Sequence, residues 1–313
     1  MSATSSHENG GPINCSKFYT EWKGHPIQDL TTFRSVTLEA RPDQPIIYLA
    51  GDSSLDNKYW VNTSNQEKTV PDIYKRTLDR PAPKPDVSFW MNHFLGNQAT
   101  CINTAIEESM LRERDKELLP HDAFIRDNLR AEDALIISVG ANDVALKPTP
   151  CTIRHMLQLA WLTSRASIKD RSASSLKYFK HMFGTKLQNY IERLTAKTKP
   201  LVVIVCMIYF PLEADLGQKS WADTHLKALG YNSNPEQLQT AIRAMNDIAT
   251  KQIEVEGTRV VPCALYEVLD GKTAGDYIER VEPSEEGGRK MATKFLELLN
   301  GVWPTKHDTQ RAM

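Results

Sequence analysis

Apolar residues along this chain gather in short unbroken runs. They occupy 45–50, 99–102, 134–139, 201–208 and 258–262. Consecutive apolar positions, without polar alternation, are what strands covered on both faces require. The first run halts at Gly51 and the third at Gly140. Between the runs the pattern turns helical. Residues 86–95 follow a Pro-rich turn and stop at Gly96, a residue suited to ending a helix. Residues 235–253 begin with Pro and set Leu238, Ile242, Met245 and Ala249 on one face. Ser284 caps a last helix whose apolar face is Met291, Phe295 and Leu298, ending at Asn300 and Gly301. Strands alternating with helices predict an α/β fold with a doubly wound, parallel, five-stranded sheet.

Segment 151–198 is longer than a crossover needs. Met156, Leu159, Ala160 and Ile168 mark one helix; Tyr178, Met182, Leu187, Tyr190, Ile191 and Leu194 mark another. The spacing predicts a helical insertion over the sheet near any cleft at the strand ends. Residues 1–44 are polar with little periodicity and read as an N-terminal extension. Residues 45–301 form the domain and 302–313 a C-terminal tail.

Composition narrows the partners. The 313 residues suffice for a full core. The 38 basic and 39 acidic side chains are scattered, with a net charge of -1, so nucleic acid and anionic membrane surfaces are not expected partners. No apolar stretch approaches the roughly 20 residues of a membrane span. Residues 1–11 carry no apolar signal-peptide core, so the sequon Asn62-Thr63-Ser64 reads as a chance match. Five cysteines without Cys-x-x-Cys spacing argue against a disulfide framework and a thiolate metal site. Cys206 and Cys263 lie in apolar runs and are expected to be buried. A reducing, cytosolic setting follows, and no spacing calls for a metal or cofactor.

Ligands of open α/β sheets sit at the carboxyl ends of strands. Two such ends carry useful polar groups. Gly51-Asp52-Ser53-Ser54-Leu55 follows the first strand, where glycine permits a tight exit and leaves the Ser53 hydroxyl at the sheet edge. Gly140-Ala141-Asn142-Asp143 follows the third, and a side-chain amide there can donate to an oxyanion. Taken singly, each is equally a capped turn. Together, in this order, they are specific.

These blocks resemble those of the SGNH/GDSL hydrolases, whose signatures are Gly-Asp-Ser-x-(Leu/Ile), then Gly-x-Asn-Asp, then Asp-x-x-His followed by Pro-Ser and a small-residue helix start. Pro283, Ser284, Gly287, Gly288 and Ala292 match that last segment. The likeness covers about 46–299. It implies a three-layer, flavodoxin-like α/β/α sandwich with Ser53 as nucleophile. It makes the Ser53 N–H and the Asn142 amide oxyanion donors. The chain departs from the pattern twice. The loop expected to supply a third donor, 101–105, lacks glycine, which leaves the Thr104 N–H for that role. Asp-x-x-His falls on Glu279-Arg280-Val281-Glu282, so Glu282 stands in place of histidine and Glu279 in place of aspartate. The chain is also similar to a bacterial branch that begins Gly-Asp-Ser-x-x-Asp-Asn and ends with Asp-Tyr and then Glu-Pro-Ser-x-x-Gly-Gly, matched here by Asp56, Asn57, Asp276, Tyr277 and 282–288.

A free glutamate titrates near 4.3 and is a weak base, but burial and a neighbouring carboxylate raise it. Glu279, Asp276 and Asp52 are candidate neighbours. Glu282 reads either as the base or as a cap at an inert site, and His225 is an alternative base. The resemblance therefore implies a serine hydrolase, esterase- or lipase-like, or an acyltransferase, acting on a small-molecule ester. The alternative is a non-catalytic binding protein with the same cleft.

Overall fold

A computed structural model describes residues 11–62 and 69–303. Thr63 and Ser64 of the sequon, the first ten residues and 304–313 lie outside them.

All five apolar runs form strands: β1 (Ile46–Gly51), β2 (Thr100–Asn103), β3 (Ala134–Ser138), β4 (Val202–Met207) and β5 (Arg259–Ala264). They pair in parallel in the order 2-1-3-4-5. Every residue of β1 to β4 is buried, as unbroken apolar runs demand. β5 lies at the sheet edge and is partly exposed. Helical segments connect successive parallel strands, as such crossovers require. Val87–Leu95 packs on Glu285–Asn300, and Leu187–Leu194 packs on Pro120–Asn128. A second, two-stranded antiparallel ladder joins β6 (Tyr277–Ile278) to β7 (Glu282–Pro283).

The caps follow the sequence. Asp86 accepts from the Phe89 N–H at 2.7 Å, and Gly96 ends that helix. Ser284 accepts from the Gly287 N–H at 3.1 Å. The helix expected over 235–253 runs only Pro235–Ile248 before a 3-10 turn, Thr250–Gln252.

Residues 11–44 differ from the expected extension. They form helices Cys15–Thr20 and Ile27–Ala40, with Phe18, Leu30, Phe33 and Thr37 buried. Phe18 stacks on His25 with ring centroids 3.6 Å apart. The apolar stripe is one residue wide, at 30, 33 and 37, and too narrow to stand out from its polar neighbours.

Segment 151–198 is helical. Pro150–Leu157 continues through the π-turn Gln158–Leu162, a short helix Arg165–Lys169 follows, and 176–194 is helical throughout. Tyr190, Ile191 and Leu194 are buried, so its last part is also the β3-to-β4 crossover.

Gly51 is where close approach dictates the residue. Its φ is +143°, and a Cβ there would lie 1.7 Å from the Ser138 carbonyl oxygen. Gly51→Ala should cost roughly 3–4 kcal/mol in a denaturant titration. Gly217→Ala, at φ +83° with open space around it, should cost about 1–2 kcal/mol. Equal losses would contradict the clash.

Candidate active site

β1 and β3 are the strands between which the sheet order reverses, the switch point where a crevice opens. Past Gly51, the Asp52 N–H donates to the Ser138 carbonyl at 3.1 Å, and the Leu55 and Asp56 N–H groups donate to the Asp52 carbonyl at 3.0 Å. This single helical turn carries Ser53, which is 7 % exposed. The Asp52 carboxylate accepts from the Ser54 N–H at 3.1 Å and the Ser54 hydroxyl at 2.7 Å. No described residue accepts a hydrogen bond from the Ser53 N–H, so that donor is available to a ligand.

Asn142 begins the short helix Ala141–Ala145 after β3. One of its amide hydrogens donates to the Ser109 carbonyl at 3.1 Å; the amide has a second to offer. Asp143 beside it accepts from the Leu111 N–H at 2.6 Å and the Arg112 N–H at 3.2 Å. Beneath them, the buried Arg114 guanidinium reaches the Met110 carbonyl, the Gly51 carbonyl and the Asp122 carboxylate. The floor of the site is thus one hydrogen-bonded layer joining three loops.

Thr104 corrects an expectation. Its N–H donates to the Leu49 carbonyl at 3.0 Å and its hydroxyl to the same oxygen at 2.5 Å. Both groups extend the β1–β2 ladder, so the Thr104 N–H is no oxyanion donor.

Glu282 reaches the site on β7. In the connection from β6, Glu279 has φ +49° and Arg280 +66°. Arg280 pins that connection through Asp223 at 2.7 Å, the Leu212 carbonyl at 3.0 Å and Asn232 at 2.9 Å. Glu279 accepts from the Trp221 N–H at 3.1 Å. The Ser53 and Trp221 side chains lie close enough to the Glu282 carboxyl to lower its pKa, although no hydrogen bond of ordinary geometry joins either of them to it. The carboxyl is buried and its Oε2 has no partner among the described residues. Burial drives its pKa up to about 8; the Asp52 and Glu279 charges add to the rise, and the neighbouring Ser53 and Trp221 side chains oppose it. Burial likewise raises Asp52 to about 6.

Asp276 is the second correction. Its carboxylate is paired with the Lys290 ammonium, at 2.7 and 2.8 Å. It anchors the last helix, and the carboxylates whose charge raises Glu282 most are Asp52 and Glu279. Gly287 has the same structural purpose, since a Cβ there would lie 2.2 Å from the Asp276 carbonyl oxygen. His225 lies on the helix Asp223–Ala228 and makes no hydrogen bond to Ser53 or Glu282.

Sequence reasoning missed Glu107. It is 3 % exposed in the loop after β2, and burial followed by the Glu282 charge raises its pKa to about 9. Nothing in Ile-Glu-Glu-Ser marks it as buried. A small apolar cavity of about 60 Å³ also opens beside the site. It runs from Val144, two residues past Asn142, to Met207 and Ile208 at the end of β4, under Met156 and Phe183 of the 151–198 segment. Among the described residues, no group of three His, Cys, Asp or Glu is placed to hold a metal ion, and no helix is long and apolar enough to cross a membrane.

No family model matches the chain, and no curated protein matches it. Among solved structures, it is similar to phospholipase A1 from Streptomyces albidoflavus NA297. The identity is 11 % and the TM-score 0.42, over 83 % of this chain and 100 % of that one. It is also similar to a carbohydrate esterase family 3 protein from Talaromyces cellulolyticus, at 12 % identity and a TM-score of 0.38, over 83 % and 98 %.

These carboxyls make stability depend on pH. Their ordinary values lie near 4, and Asp52, Glu282 and Glu107 are raised to about 6, 8 and 9. Between those limits the folded chain binds more protons than the unfolded one. Their contribution to stability is therefore complete below about pH 4 and is lost as pH rises through the folded values. The melting temperature should fall from about pH 5 to about pH 9. Glu282→Gln, which cannot ionise, should flatten the fall and melt roughly 5 °C or more above the parent at the alkaline end. A parent that grew more stable with rising pH would contradict the assignment.

Proposed function

We propose that this chain is a serine hydrolase or acyltransferase of the SGNH/GDSL kind, acting on a small-molecule ester, with Ser53 as nucleophile and Glu282 as its base. One observation carries the reading: a hydroxyl at the switch point neighbours a buried carboxyl whose pKa is raised to about 8, so that it can act as a base.

The Ser53 oxygen attacks the ester carbonyl carbon while its proton passes to Glu282. The oxyanion is held by the Ser53 N–H and the second Asn142 amide hydrogen. Collapse expels the alcohol, which takes the proton back from Glu282 and leaves an acyl-serine. Water, or a second alcohol in a transferase, then attacks with Glu282 again as base, and Ser53 is regenerated. The cavity beside Asn142 offers room for an apolar portion of the acyl group.

Two features limit the rate. With Thr104 committed to Leu49, that residue supplies no third donor to the oxyanion, and one such donor is worth about 10²–10³ in kcat. A base titrating at about 8 is mostly protonated at neutral pH. The same two features favour a second reading, a binding protein that holds an ester or acid in this cleft without turnover.

Labelling by a fluorophosphonate probe separates the readings. The enzyme should label at Ser53, more strongly as pH rises through about 8, and Ser53→Ala should abolish it. Glu282→Gln should lose as much ester turnover as Ser53→Ala, and the double variant no more, because nucleophile and base act as a unit. No labelling at any pH, with ester still bound, would establish the binding protein; near-normal turnover by Glu282→Gln would remove Glu282 from the mechanism.

A further inference from the structure

Charge is balanced over the whole chain but not over residues 147–186. That segment holds eight Lys and Arg side chains and one acidic residue, Asp170. Four of the cations are matched from outside it: Arg165 by Glu236, Arg171 by Asp247, Lys186 by Asp115, and Lys147 by Glu108 at 4.0 Å. The other four, Arg154, Lys169, Lys177 and Lys180, are exposed and have no ion-pair partner among the described residues.

An apolar stripe runs through the same segment. Ile153, Leu157 and Trp161 recur every four residues along Pro150–Leu157 and the π-turn Gln158–Leu162, which sets them on one side. Ile153 is 43 %, Leu157 41 %, Trp161 61 % and the adjoining Leu162 83 % exposed. Half of the exposed large apolar side chains among the described residues therefore fall within 153–162. The other side of this helix is already covered, since Met156 and Leu159 are buried and line the apolar cavity. The outward side is held in place. The Trp161 indole N–H donates to the Ala228 carbonyl at 2.9 Å, and the ring lies against Gly230, where a Cβ would come within 3.2 Å of it. Tyr178 fastens the helix Leu176–Lys180 alongside: its ring stacks on His155 with centroids 4.5 Å apart, and its hydroxyl lies 2.7 Å from that of Thr152.

We propose that this face docks the chain on an anionic lipid surface. Leu157, Trp161 and Leu162 enter the boundary between headgroups and acyl chains, and Arg154, Lys169, Lys177 and Lys180 meet the headgroup phosphates. Charge and apolarity together select the partner. A nucleic acid would satisfy the cations but leave the leucines in water. A second copy would cover the leucines but set like charges against one another. A tryptophan bonded through its N–H, with its ring open, suits a boundary that is wet on one side and apolar on the other. The net charge of -1 gave no reason to expect such a partner, because it averages this patch with the acidic remainder of the chain. Docking of this kind does not require Ser53 to be reactive.

Co-sedimentation with vesicles tests this. The full chain should bind phosphatidylcholine vesicles containing about a third phosphatidylglycerol at least roughly 10-fold more tightly than pure phosphatidylcholine, and about 0.5 M salt should remove most of the difference. Lys177→Glu with Lys180→Glu should weaken binding about 25-fold, at roughly five-fold for each cation near the surface. The same charge change at Lys75 and Lys294, outside the segment, should weaken it far less. Leu162→Ser leaves the charge unaltered and, at so exposed a position, the fold; it should weaken binding about 10-fold. Tryptophan emission should shift to shorter wavelength on binding, and the shift should vanish in Trp161→Phe. Equal binding to the two vesicles, equal binding by Leu162→Ser and the parent, or a shift that survives in Trp161→Phe overturns the proposal. So does a dimer that Leu162→Ser dissociates, or an oligonucleotide held equally by Leu162→Ser and the parent, in a chain that binds no vesicle. Ser53→Ala should bind vesicles as the parent does, so failure of the docking leaves the Ser53–Glu282 reading standing, and failure of that reading leaves the docking.

Discussion

Acidic groups taken out of water without a cation to meet them are the constraint on which this site depends. The buried or half-buried cations around it are already matched: Lys58 to Asp56, Arg114 to Asp122, Arg280 to Asp223 and Lys290 to Asp276. Those pairs fix loops and helices in place. Asp52, Glu107 and Glu282 are buried without an ion pair of their own, and for such groups a proton is the remaining counter-charge. A glutamate with ordinary solvation would ionise far below neutrality and take a serine proton poorly. The burial that gives Glu282 its basicity is the same burial that opposes its ionised form, so reactivity and folding draw in opposite directions here.

Most of the scaffold was legible because burial on both faces leaves a plain signature. Five apolar runs became five parallel strands, and the Gly51 and Gly140 stops fell where chains leave the sheet. What stayed hidden was set by partners distant in sequence. The helix Ile27–Ala40 escaped notice because Leu30, Phe33 and Thr37 form a thin stripe. Thr104 looked like a loop donor because nothing local reveals that the β1–β2 ladder continues one residue further to reach it. Asp276 looked like a neighbour of Glu282, yet Lys290, a full turn into the last helix, faces it. Glu107 gave no sign at all, since its burial comes from residues near 56–60 and 282.

The segment 276–288 shows how a sequence signature can divide its labour. Ser284 caps the helix, Gly287 lets that helix approach the Asp276 carbonyl, and Gly288 packs against Asn57, where a Cβ would meet its amide nitrogen at 3.2 Å. Of these residues, Glu282 is the one whose side chain neighbours that of Ser53. A motif that reads as a run of catalytic residues is mostly the joinery that delivers one carboxyl to Ser53. Aligned by motif alone, chains of this pattern would share that joinery whatever residue they carried at the position of Glu282.

The distance along the chain between Ser53 and Glu282 has a consequence during synthesis. Ribosomes add about 5–20 residues per second, so Ser53 emerges roughly ten to fifty seconds before Glu282. Through that interval β1, β2 and β3 can pair, but Ser53 has no carboxyl within reach and remains an ordinary alcohol. Only when the connection pinned by Arg280 closes and the helix Glu285–Asn300 docks does the serine acquire its partner. On the proposed reading, the nascent chain is thereby kept chemically silent until its sheet has been assembled.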